Sequence, residues 1–137
     1  MSKTVLFFFL LIFWNFATTK SDNSEKTIHD DLLIGIQNAV INDNQTSFVQ
    51  YYTKDFDAAA WYKRYYQPLR PDERKTFILR RFGDVQENEQ DVKMSFSESY
   101  NLNGNSSDIH LISYDVVLKK TTNNTIGYGI NDIKQHK

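Results

Sequence analysis

The sequence predicts an α+β domain, with N-terminal helices packed on the concave face of a curved antiparallel β-sheet that ends in a three-strand meander. Two observations carry this. Apolar residues recur at helical spacing as far as Gly83, and beyond it they alternate with a period of two. A run of helices followed by a run of strands folds with the helices segregated to one face of the sheet.

The first helix is expected from Thr27, an N-cap residue with Asp30 placed to complete a capping box and Asp31 just beyond. Ile28, Leu32, Ile36, Ala39 and Val40 form its stripe, and Asn42-Asp43-Asn44 stops it. A second helix is expected near Thr46, with Phe48, Tyr52 and Phe56 on one line. Residues 57–67 read equally as helix or as an irregular aromatic crossing, and Pro68 closes them. The next helix is predicted over residues 71–82. Pro71 stands at its first position, Asp72 and Glu73 in the first turn, Arg80 and Arg81 in the last, and Gly83 after it. Ile78, Leu79 and Phe82 mark its buried side.

The strands follow. Val92, Met94, Phe96, Glu98, Tyr100 and Leu102 alternate with Lys93, Ser95, Ser97, Ser99 and Asn101, a pattern with one wet face. Two further strands are expected at about 108–120 and 125–135. A slip of one residue inverts a strand, so matching apolar faces selects the register. A loop over 103–107 pairs Val92 with Leu118, Met94 with Val116 and Phe96 with Tyr114. A three-residue loop over 122–124, with Asn124 accepting a positive φ, pairs Leu118 with Tyr128 and Val116 with Ile130.

The first residues read as an export signal, expected over 1–19. Lys3 gives a basic start, Val5 to Trp14 an unbroken apolar run, and Ala17-Thr18-Thr19 small residues for cleavage before Lys20 or Ser21. The run is too short to cross roughly 30 Å of hydrocarbon. A single domain is expected over 27–137, secreted and extracellular, with no membrane contact after cleavage. Three N-x-S/T sequons, at Asn44, Asn105 and Asn123, fall in expected loops and make it a candidate glycoprotein. The chain has no cysteine, so core packing alone must hold it, and ten Phe, eight Tyr and two Trp supply the rings.

A net charge of −1 argues against a nucleic-acid partner. The basic run over 63–81 and the acidic one over 84–98 read as a solvated helix face and an acidic loop. The basic run could also serve as a docking patch. Without cysteine there is no thiol catalysis and no zinc–thiolate site. His29, His110 and His136 lack ligand spacing, Gly127-Tyr128-Gly129 reads as a strand bulge, and no G-x-S-x-G occurs. No metal and no cofactor is expected.

One polar cluster is expected. The registers place Glu98, Tyr100, His110 and Tyr114 on the face toward the helices, with His110 opposite Tyr100 and diagonal to Glu98. His136 falls opposite His110 if the last strand runs that far.

Phe48-x-x-x-Tyr52 leading to Lys54-Asp55-Phe56, then a capped helix and three strands, resembles the nuclear transport factor 2-like (cystatin-like cone) fold over roughly 27–135. The short secreted, nematode-type members are the most similar, although they often carry cysteines. The resemblance implies helices wrapped by a concave sheet. Enzymes of this fold use an Asp or His in the mouth of the cone as general base. Because one such scaffold hosts many activities, two readings stay open. One is a secreted, non-catalytic binding module for a small apolar ligand or a protein partner, with a homodimer through the sheet as one form. The other is a small cofactor-free isomerase or dehydratase using the His110 cluster.

Overall fold

The computed structural model describes residues 27–137. The export segment and its cleavage position lie outside the described residues. Helix α1 (Ile28–Ile41) starts as expected: Thr27 Oγ1 accepts from the Asp30 amide and donates to the Asp30 carboxylate. Its buried stripe is His29, Leu32, Leu33, Ile36, Ala39 and Val40. His29 takes the slot expected for Ile28, which is exposed. Asp43, at φ 50, turns the chain away.

Helix α2 (Gln45–Val49) is short, capped by Asn44 Oδ1 on the Ser47 amide at 3.0 Å. Phe48, Tyr52 and Phe56 do stack in series, with centroids 4.7 and 5.3 Å apart, but not along one helix. Tyr52 instead forms a parallel bridge with Ile130, so this segment covers part of the last strand's free edge. Helix α3 (Ala58–Tyr65) settles the open segment, its cap being Asp57 Oδ1 on the Ala60 amide.

The helix predicted over 71–82 is a single turn, α4 (Pro71–Arg74), followed by a strand, β1 (Ile78–Glu87). Burial explains why. From Phe77 it alternates with a period of two: Phe77 and Leu79 are buried, Ile78 and Phe82 exposed. Pro71, Asp72 and Glu73 suit the amino end of a helical turn of any length. Arg80 and Arg81 are strand neighbours on opposite faces, Arg80 sharing a row with Ser97 and Arg81 with Phe96. The basic run is therefore no single helix face. Arg74, buried, donates to the carbonyls of Val40 and Tyr66, each at 2.6 Å, and reaches Asp43 at 3.2 Å.

With β2 (Val92–Asn101), β3 (Ile109–Lys120) and β4 (Tyr128–Gln135), the sheet has four strands, not three, all antiparallel in the order β1-β2-β3-β4. The β2–β3 register is the expected one, Val92 to Leu118 and Phe96 to Tyr114. The β3–β4 register is not. Leu118 faces Ile130 and Val116 faces Ile133, because the loop runs to Gly127 and a bulge interrupts the pairing at Val117/Leu118. Gly127, at φ 87, supplies the left-handed residue expected of Asn124, and it lies in the loop before β4 rather than as a strand bulge.

Buried Leu32, Ile36, Phe48, Tyr62, Phe77, Phe96, Leu118 and Ile130 belong to one core between helices and sheet. The approach is close at Gly35, where a Cβ would overlap the Tyr51 ring.

Candidate functional site

Alternation on β2 turns Glu98 inward, where it is only 3% exposed, and the β2–β3 register sets His110 diagonally beside it. His110 Nε2 lies 3.1 Å from Glu98 Oε2. The imidazole stacks on Tyr100 with centroids 4.3 Å apart and planes 15° apart, and Tyr100 stacks in turn on Phe77. The His110 side chain is 29% exposed, so the pair joins a buried carboxylate to a ring that reaches solvent.

The second carboxylate oxygen has its own donor. Tyr66, the C-cap of α3, donates its hydroxyl to Glu98 Oε1 at 2.6 Å, a short charge-assisted bond. Tyr66, one of the aromatic residues of the 57–67 segment, is not among the residues that the strand registers bring together. Its four-residue spacing from Tyr62 puts both rings on one side of the helix, but Trp61 and Tyr65 share that spacing, so the pattern alone does not single it out. Tyr114 is buried between Phe96 and Trp61, with centroids at 5.6 and 6.0 Å, and no hydrogen bond joins it to Glu98 among the described residues. Burial first, and then the Glu98 charge, push the phenol groups of Tyr52, Tyr66, Tyr100 and Tyr114 above their usual value. Each hydroxyl therefore keeps its proton at neutral pH.

His136 does not join this cluster. The slipped β3–β4 register leaves it three residues short of His110, so that its amide bonds to Ser113 on the opposite face. There its Nδ1 lies 2.7 Å from Asp115 Oδ1, and its ring meets Phe82 edge-on. Ser95 donates to the same carboxylate oxygen at 2.6 Å. Among the described residues no three His, Asp or Glu side chains group as metal ligands.

Three grooves formed by described residues, each of about 320–350 Å³, lie elsewhere. The first crosses the outer sheet face by Asp84, Lys93, Asp115 and Lys134; none is lined by Glu98 or His110. The Glu98 carboxylate, with both oxygens bonded, thus acts as a clasp between α3 and the β2–β3 hairpin. The His110 imidazole is the part of the clasp that reaches solvent.

No protein-family model and no curated protein matches the sequence. Among solved structures, the chain is similar to an NTF-2-like protein of unknown function from Shewanella oneidensis MR-1. The TM-score is 0.56 at 13% identity, over 79% of this chain and 95% of that one. The fold is therefore nuclear transport factor 2-like: helices against a curved, four-stranded antiparallel sheet.

Proposed function

We propose that this protein is a small, non-catalytic binding domain of the extracellular space, and that it makes contact through the outer face of its sheet. One observation carries the reading. Ile78, Phe82, Ile109 and Leu111 are all exposed on that face, Leu111 by 69%. Ser97, Ser99, Ser113 and the exposed Arg80 lie between them, since Ser99 pairs with both Ile78 and Leu111, and Ser97 with both Arg80 and Ser113. Exposed apolar side chains grouped on one face, as opposed to scattered singly, commonly mark a binding surface. The interior offers no comparable surface, because Tyr52, Tyr66, Phe77, Phe96 and Tyr114 are buried within it. That directs the reading to a protein partner rather than a small apolar ligand held inside.

The simplest partner is a second copy of the chain, joined sheet to sheet. Sedimentation velocity should then show a dimer at high concentration. Leu111→Asp should abolish it while leaving thermal stability nearly unchanged, because the side chain is exposed. A wild-type protein that stays monomeric throughout the concentration range and behaves like the variant overturns the self-association.

A second reading, a cofactor-free isomerase or dehydratase, draws on the 3.1 Å contact between Glu98 and His110. Glu98 would hold the ring in one tautomer, and the outer nitrogen would take a proton from carbon. Exchange of substrate protons in deuterated water, lost in a folded His110→Gln variant, would favour it.

A further inference from the structure

The three sequon asparagines are all exposed, but the fold treats their side chains differently. Asn105 stands at the tip of the β2–β3 hairpin, and every residue from 103 to 109 is exposed. The base of this tip is anchored. The Asn103 amide donates to Glu73 Oε2 at 3.2 Å, and Arg70 Nη1 donates to Asn103 Oδ1 at 3.3 Å. Beyond that anchor, Asn105 Oδ1 accepts from both the amide and the hydroxyl of Ser107, at 3.1 and 2.8 Å. The amide oxygen is thereby occupied by the third residue of its own sequon. Its Nδ2 has no hydrogen bond among the described residues. Asn44 is similar in kind, its Oδ1 capping α2 and its Nδ2 unbonded among those residues.

Asn123 is used by the fold. Its Nδ2 donates to the Tyr52 carbonyl at 3.3 Å, within the loop that closes over the edge of β4. The next residue, Asn124, knits the same loop to the same segment. Its Nδ2 donates to the carbonyls of Gln50 and Tyr128, each at 2.9 Å, and its Oδ1 accepts from the amides of Ile126 and Gly127. A bulky group on Asn123 must coexist with this contact. A group on Asn105 displaces nothing.

We infer that Asn105 is the principal site of N-linked glycosylation in this protein, that Asn44 is a second open site, and that Asn123 is left unmodified. The inference rests on the export reading, since the modifying enzyme works in the secretory lumen. In the transfer, Asn Nδ2 attacks C1 of a lipid-pyrophosphate-linked oligosaccharide. The N–C1 bond forms, the C1–O bond to the pyrophosphate breaks, the lipid pyrophosphate leaves, and Nδ2 gives up one proton. The lipid-linked donor is the only co-reactant.

The test expresses the full chain in cultured animal cells and maps site occupancy on the secreted protein by mass spectrometry. Variants Asn44→Gln, Asn105→Gln and Asn123→Gln are compared on gels before and after glycosidase. Asn105 should carry glycan, and Asn105→Gln should lose one mobility step. Asn123→Gln should migrate like the wild type. A secreted, processed chain with Asn105 bare overturns the assignment alone. Occupancy at Asn123 equal to that at Asn105 overturns the distinction between the sites. Retention of an unprocessed, glycan-free chain overturns export itself, and this inference with it.

Discussion

A carboxylate as buried as that of Glu98 is costly unless its lone pairs are bonded, because the protein interior replaces water poorly around a charge. Here Tyr66 and His110 each bond one oxygen. Removing one donor leaves the charge in place but short of a partner, which costs about 1–3 kcal/mol. Tyr66→Phe should therefore lower stability by about that amount in chemical denaturation. Tyr100→Phe should cost less, because the Tyr100 hydroxyl has no hydrogen bond among the described residues. Equal losses would mean that the ring of Tyr66, and not its hydroxyl, supports the site. Glu98, Tyr100 and His110 were legible in the sequence because a period of two fixes which residues share a face. Tyr66 was not. Trp61, Tyr62, Tyr65 and Tyr66 fall on two adjacent sides of one helical turn, and nothing local says which side meets the sheet.

The β2–β3 hairpin could be registered from sequence because both strands alternate, so only one pairing buries two apolar faces at once. Phe96 stands at its centre, 2% exposed and against Tyr114, while Ser97 points to the outer face. Phe96→Ala should cost about 3–5 kcal/mol by emptying a packed site. Ser97→Ala should stay within about 0.5 kcal/mol. Thermal or urea melts of the two variants check this, and similar losses would put the face assignment in error. β1 was hidden for a different reason. Its alternation is carried by Phe77 and Leu79 and continues inward with Arg81, whose ion pair with Asp30 is invisible to any hydrophobic pattern. β4 was placed but mis-registered. Its loop is organised by the four hydrogen bonds of Asn124, two of them to groups outside the loop, and a bulge then shifts every residue as far as His136.

With no disulfide, the two ends of the described chain are fastened by polar contacts. Asp30, in the first turn of α1, accepts from Arg81 Nε at 3.0 Å and so ties the helix to β1. Asp115 accepts from Ser95 and lies against His136, tying the end of β4 to the outer face. The bond from Arg81, helped by Thr27 and opposed by partial burial, holds the Asp30 carboxyl below its usual value. Ser95 first and then His136, against slight burial, do the same for Asp115. A carboxyl depressed in the folded state contributes stability that is present above its unfolded value, about 3.9. That contribution is lost as pH falls through the folded value. Both contacts are partly exposed, so each is worth less than about 1 kcal/mol and salt should weaken it. The share of the urea midpoint that these two carboxyls supply should therefore be present in full down to about pH 5 and be lost below about pH 4. Asp30→Asn should be less stable than the wild type at neutral pH and should lose less on acidification, because it has no carboxyl left to protonate there. A wild-type midpoint as high at pH 3 as at pH 6 would show that these contacts do not hold the ends. An acid loss undiminished in the Asp30→Asn, Asp115→Asn double variant would place the acid-sensitive groups elsewhere in the fold.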